Sequence, residues 1–287
     1  MSGFDSGLIR KARSACRVAN VDVVHGLDSD QPLRSGIPTV TTVHDLALFD
    51  VPWAFSNVSG RVKRSLVGAS IQRADAIVAV SAFTAERVRA RFGRESTVIH
   101  EAAGRQFTTP SDDQVRAVVR KYALTEPFVL CVGNHEPRKD LACLAEACGL
   151  AGLPLVVAGG AVTTVAVPPG SRSLGYVPQT DLPGLYRAAT VVGYVARYEG
   201  FGLPPVEAMA SGGCVMTTRV GALPDIAVEG VEFVPIGSPE AQAKAIRSLH
   251  NDDDRATHRR VAAVREANAL SWDRTAAATV AVYQGLL

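Results

Sequence analysis

Long apolar runs are missing from this sequence: no stretch approaches the ~18 consecutive apolar residues that a membrane-crossing helix requires. Its five cysteines, Cys16, Cys131, Cys143, Cys148 and Cys214, show no C-x-x-C pair and no metal-ligand spacing. A disulfide framework and a zinc site are thereby excluded, and thiols set among apolar residues read as reduced and buried. Charge of one sign is also lacking. A net +2 over 287 residues gives no composition-level reason to expect nucleic acid as a partner. The opening MSGFDSGLIRKARSACR lacks the apolar core of a secretory signal, so a cytoplasmic location is expected. One asymmetry remains: residues 1–108 hold 14 Lys/Arg against 10 Asp/Glu, and the remainder 16 against 18. That mild basic bias is compatible with an acidic acceptor, or with peripheral contact at the inner face of an anionic membrane.

What is present is regular alternation. Short β-branched runs recur at 21–26, 37–45, 74–80, 96–100, 128–133, 154–160, 190–195, 214–218 and 231–236. They are almost continuously apolar, as expected of parallel strands covered on both faces. Helical patterns fill the gaps at 61–73, 82–92, 111–122, 138–149, 180–189, 204–211, 238–250 and 253–269. Strand–helix alternation predicts an α/β fold. The length exceeds what one core usually sustains, and AAGRQFTTPSDD (102–113) looks like a connection after which the pattern restarts. Two Rossmann-like domains facing a cleft are expected, over 1–108 and 109–270, followed by a helix over 271–287 that packs back towards the first.

Two loops of the second half carry the chemistry, each following a buried strand at its carboxyl end, where open α/β sheets bind ligands. In VGNHEPRKDLACL, Gly133 ends a strand and Arg138 and Lys139 fall in the first turn of the next helix. Cations there oppose the helix dipole, and a bound anion would reverse that sign. A solvated surface pair is the alternative. In YEGFGLPPVEAMASGG, the glycines Gly200 and Gly202 allow close backbone approach, and Leu203-Pro204-Pro205 opens a helix. The N–H groups from Gly200 through Phe201 and Gly202 to Leu203 are then free for an anion. Glu199 stands before the turn and Glu207 about one helical turn inside, so one can accept from a sugar and the other from a ribose. Both could instead complement the helix dipole.

RYEGFGLPPVEAMASGG resembles the E-x7-E signature of retaining glycosyltransferases of the GT-B fold, family 4 in particular. TVHDLALFDVPWAF, ADAIVAVSAFTAERV, FVLCVGNHEPRKDL, PLVVAGG, LGYVPQTDLPGLYRAA, VGALPDIA and SWDRTA resemble further segments of these enzymes, in the same order. The resemblance implies that Arg138 and Lys139 hold the donor diphosphate and that Glu199, beside the Gly200–Leu203 amides, contacts the donor sugar. It implies that Glu207 binds the nucleotide ribose, that Tyr176 and Val177 frame the base, and that His44 lies near the reacting carbon. The reaction implied is transfer of a hexose from a nucleotide diphosphate sugar, GDP-mannose first, to a glycan or glycolipid hydroxyl, with no cofactor and no metal ion.

Asp28-Ser29-Asp30 imitates the D-x-D metal motif but reads as a solvated turn, and Asp252-Asp253-Asp254 reads as a helix start. His25 ends a neighbouring strand and ranks below His44. Family members open with a strand and a glycine-rich turn, whereas this chain opens with the basic LIRKARSACR and enters at what resembles a middle strand, so the first domain is expected to be incomplete. The span from AGG to LGYVP is short, and SGGCV stands where the family has a proline before its valine. A nucleotide-sugar-binding remnant without turnover is therefore the rival reading, and an epimerase or phosphorylase a third. An open sheet edge is compatible with a homodimer.

Overall fold

β-Branched runs form the strands, and the stretches between them form helices. The computed structural model describes residues 21–29, 36–55, 57–125, 127–134, 136–159 and 167–287, at 57–59 and 61 by backbone alone. The segment LIRKARSACR, with Cys16, and Asp30 of the D-x-D lie outside the described residues. In chain order the elements are β1 (Val24–Gly26), β2 (Thr39–Val43), α1 (Ala47–Asp50), α2 (Asn57–Arg73), β3 (Ala76–Ala79), α3 (Ala82–Phe92) and β4 (Thr97–Val98). There follow α4 (Asp112–Lys121), β5 (Val129–Val132), α5 (Leu141–Ala151), β6 (Leu155–Ala158), β7 (Arg172–Gly175), α6 (Leu182–Ala188), β8 (Val191–Tyr194) and α7 (Leu203–Ala210). The chain closes with β9 (Val215–Thr217), α8 (Leu223–Ile226), β10 (Val231–Phe233), α9 (Pro239–Asn251), α10 (Asp253–Asn268) and α11 (Trp272–Gln284). No helix among the described residues is long and apolar enough to cross a membrane.

The chain divides into two compact units, one of residues up to Glu101 together with Asp273–Leu287, the other Ala102–Trp272. The division lies a few residues ahead of the position expected after residue 108. Phe107 supplies the reason: it is buried against Tyr186 of the second unit, their ring centroids 6.3 Å apart.

The first unit is a parallel sheet in the order β1-β2-β3-β4. Strand alternation sends Val43 and Ile77 to one face, where they meet Leu46, Ile71, Ala74 and Val88. Val40 and Val78 point to the other, where with Ile99 they are covered by Ala278, Val282, Tyr283 and Leu286 from the end of the chain. Ser81 caps α3 by accepting from Thr84 N, and Gly93 ends it in the left-handed conformation. Arg94 donates to the carbonyls of Ile71, Gln72 and Ala74, satisfying the end of α2.

His44 follows β2 within this unit. Its Nε2–H donates to Leu27 O at 2.8 Å, and its Nδ1 lies 3.2 Å from Glu101 Oε1. The hydrogen bond and charge of Glu101 outweigh partial burial, and the imidazole pKa is raised to about 9. His44 is thus an imidazolium at neutral pH with both nitrogens engaged.

The second unit is a six-stranded parallel sheet in the order β10-β9-β8-β5-β6-β7. Counted from its own first strand, this is the doubly wound order, with the direction of winding reversing between β5 and β8. Helices α5 and α9 pack on one another over a core of Val129, Val157, Val191, Met216, Leu144 and Ile246. Elsewhere α10 packs on α7, and α4 on α6. Strand β7 was not legible: RSLG is polar, half exposed and without a β-branched run, and only its edge pairing with β6 makes it a strand. The short helices α1 and α8 were also unforeseen.

At the carboxyl edge two strand ends touch through glycine. Gly133 N–H donates to Ala158 O, and Gly159 N–H to Gly175 O. Gly159 adopts φ +155°, and a methyl there would stand 2.1 Å from Gly133 O. Gly159→Ala is therefore expected to destabilise the protein by about 2–4 kcal/mol, through strain and displaced backbone. Urea denaturation checks this, and an unchanged midpoint would mean that the strand ends have room to part. The His44–Glu101 contact generates a second expectation. Because the folded pKa lies above the ordinary histidine value of 6.5, its stabilisation is complete below pH 6.5 and is lost as pH rises through about 9. Urea midpoints of wild type and His44→Gln should converge over that interval, and parallel profiles would refute the assignment.

Candidate functional site

The reversal of winding between β5 and β8 leaves a crevice at their carboxyl ends, and the loops that follow these two strands are the ones singled out by the sequence. After β5, Gly133 turns the chain and Pro137–Lys139 forms a single 3-10 turn. Asp140 then takes the left-handed conformation, φ 51°, before α5 starts at Leu141. Arg138 and Lys139 consequently do not lie in the first turn of the helix, as the periodicity suggested. The proline starts a separate turn, and Asp140 breaks it from the helix.

The two cations have different surroundings. Arg138 is largely buried and held by three hydrogen bonds: Nε donates to Glu136 Oε2 at 2.6 Å, and Nη1 to Tyr198 O at 3.0 Å and Glu199 Oε1 at 2.5 Å. Lys139 forms no ion pair among the described residues. Its ammonium lies 5.5 Å from the centroid of the Tyr194 ring and 2.6 Å from where a Cβ on Gly133 would stand. Glycine at 133, at φ +134°, leaves the ammonium its place at the strand end, where a Cβ would displace it.

Glu199, 8% exposed, receives Arg138 and the Tyr194 hydroxyl (2.6 Å) on the same oxygen, Oε1. Burial and the adjacent carboxylate push the Tyr194 pKa well up, so the phenol stays a donor. The loops are cross-tied twice more. Arg197 N–H donates to Arg138 O at 2.7 Å, and Arg197 Nε to Asp140 Oδ2 at 2.8 Å. Removing one member of a buried pair such as Arg138–Glu199 typically costs about 3–5 kcal/mol, because the other charge is stranded.

Gly202, at φ +100°, is the residue before α7, and Pro204 and Pro205 follow in its first turn. The N–H groups of Gly202 and Leu203 have no acceptor among the described residues. Gly200 and Phe201 are buried behind them, and Ala222 N–H donates to Phe201 O at 3.2 Å. Gly221 completes this contact, since a Cβ there would lie 2.9 Å from Phe201 O. Glu207, half buried inside α7, accepts from the Tyr186 hydroxyl at 3.1 Å. Burial raises its pKa, opposed by that hydrogen bond.

The structure thus brings Gly133, Arg138, Lys139, Glu199 and the Gly202–Leu203 amides to one end of β5 and β8, with Glu207 one turn deeper. Tyr176 and Val177 lie beyond β7, further along the same sheet edge, the first 78% exposed and the second buried. His44 belongs to the other unit. Tyr194, Asp140, Arg197 and Tyr186 were missed. Tyr194 had a signal, being the last residue of a strand at its carboxyl end; the others depend on the tertiary path of the loops.

Residues 116–266 match the family model described as Glycosyl transferases group 1, and residues 2–102 that of Glycosyltransferase Family 4. The O-antigen chain mannosyltransferase B of Escherichia coli is 31% identical over 268 residues, covering 85% of this chain and 70% of that protein. The serotype-specific mannosyltransferase WbdA of Escherichia coli is 29% identical over 181 residues, which are 55% of this chain and only 22% of the relative. Among solved structures, Anabaena HepE in complex with UDP-glucose superposes with a TM-score of 0.69 at 20% identity, over 81% of this chain and 68% of that one. The two family matches, which between them take in both parallel sheets, place the chain among the family 4, group 1 glycosyltransferases.

Proposed function

We propose that the second unit binds a nucleotide diphosphate sugar across the ends of β5 and β8, and that the chain transfers its hexose to an acceptor hydroxyl with retention of configuration. The observation that carries this reading is the cross-tying of the two loops around an uncommitted cation. Arg138 and Glu199 hold the loops together, while the Lys139 ammonium and the Gly202 and Leu203 N–H groups remain for an anion. Mannose is the first candidate sugar, supported by the mannosyltransferase relatives, and a glycan or glycolipid the acceptor. A nucleotide donor is supported by the UDP-glucose of HepE.

In this reading the bond from the anomeric carbon to the β-phosphate oxygen breaks as the acceptor oxygen bonds to the same face. The departing phosphate oxygen takes the acceptor proton. Negative charge grows on the phosphate, where Lys139 and the α7 amides are already oriented to receive it. Arg138, with Glu136, Tyr198 O and Glu199 as acceptors, acts mainly by fixing Glu199, whose Oε2 is left for sugar hydroxyls. Glu207 accepts from the ribose while Tyr186 holds its other side.

Lys139→Ala is expected to lower kcat/KM about a hundredfold or more while leaving thermal denaturation unchanged, since the side chain forms no ion pair among the described residues. Unaltered turnover would reject the phosphate role. A thermal-shift series with GDP, UDP and ADP should single out one base, because ligand at a hundred times its Kd adds about 2.7 kcal/mol. No shift with any of them would sink the donor site, and a shift without turnover would identify a binding protein.

A further inference from the structure

The amino-terminal edge of the second sheet carries a cavity of about 700 Å³, within the range of small-molecule sites. Pro127 and Thr190, just before β5 and β8, line it, so it lies at the opposite ends of the strands that carry the switch-point loops. Strands of four residues separate the two places by roughly 13 Å.

Two guanidinium groups reach this cavity, Arg187 from the last turn of α6 and Arg260 from α10. Neither forms a salt bridge among the described residues. Arg187 has no side-chain hydrogen bond there at all. Arg260 donates Nη2–H to Ala189 O at 3.1 Å, while its Nε is buried without a hydrogen-bond partner. The Cys214 thiol adjoins the buried guanidinium and is at best a weak acceptor. Burial, the largest influence, and the repulsion of Arg187 disfavour the charge on Arg260, whereas Cys214 and the more distant Asp253 favour it. Two like charges with no carboxylate in ion-pair contact among the described residues, Asp253 attracting Arg260 only from beyond that range, are eased when an anion binds between them.

The rim has the opposite character. Asp112 and Asp253, in the first turns of α4 and α10, are exposed and lack ion-pair partners among the described residues, and Thr190, Thr257 and His250 stand beside them. Carboxylates would repel a bare anion but accept well from hydroxyls. A ligand with an anionic head and a hydroxylated body satisfies both sets of groups at once.

We propose that this cavity binds a phosphorylated sugar or polyol, its phosphate on Arg187 and Arg260 and its hydroxyls on Asp112, Asp253 and the two threonines. The site is separate from the donor loops and does not rest on their assignment. Calorimetric titration of the full chain with mannose 6-phosphate, glucose 6-phosphate, inorganic phosphate and mannose tests it. At least one sugar phosphate should bind saturably to wild type and equally to Lys139→Ala. Arg187→Gln should weaken that binding roughly tenfold or more at an unchanged melting temperature, the loss expected for a charged hydrogen bond. Asp253→Asn should weaken the sugar phosphate and spare inorganic phosphate. If Arg187→Gln does not fold, Arg187→Lys keeps the charge without the planar fork and should still lose affinity. The proposal is overturned if neither sugar phosphate binds, if binding is the same in the Arg187 variant that folds, or if Lys139→Ala abolishes it.

Discussion

The ion pair between Arg138 and Glu199 is the contact on which the geometry of the second unit's crevice depends. Both partners are nearly withdrawn from water, so each has lost hydration worth several kcal/mol, and attraction alone rarely restores that. The remainder comes from neutral dipoles: the Tyr194 hydroxyl on the carboxylate and the Tyr198 carbonyl on the guanidinium, with Glu136 as a second anion. Because one partner comes from each loop, the network also decides where everything between the loops stands. Lys139, adjacent to the tied arginine, has its stem led past a bare strand end rather than out to solvent. Glu199, four residues ahead of α7, fixes the loop that leads into that helix.

Absent side chains matter as much in this region as the charged ones. Gly133 leaves the space that the lysine occupies, Gly202 turns the chain into α7, and Gly221 lets the next loop lie against the Phe201 carbonyl. At Gly133 and Gly202 the space of the missing Cβ is bordered by side chains, Lys139 and Leu223, and at Gly221 by the Phe201 and Gly200 backbone.

Much of this was legible beforehand, and for a physical reason. Parallel strands buried on both faces must be apolar throughout, so FVLCVG, PLVVAGG and TVVGYV announce themselves, and the glycines and prolines after them mark the turns. The edge strand Arg172–Gly175 escaped because an edge asks for no such composition. The position of Arg138 and Lys139 was misjudged because periodicity is blind to one left-handed residue, Asp140, between two short helical pieces. The sequence marked Glu199 as a candidate for binding a sugar. It gave no sign that one of its oxygens would already be taken by groups five and sixty-one residues away, since such partners are chosen by the winding of the whole sheet.

The last helix returns to the first unit, where Ala278, Val282 and Tyr283 roof one side of its sheet and the Tyr283 hydroxyl meets His25 at 2.6 Å. One unit is therefore nested in the other along the chain. The inner one, Ala102–Trp272, is a single contiguous stretch. The outer one is spelled out in two separated passages, and its sheet gains this covering only once the second passage, Asp273–Leu287, has been synthesised.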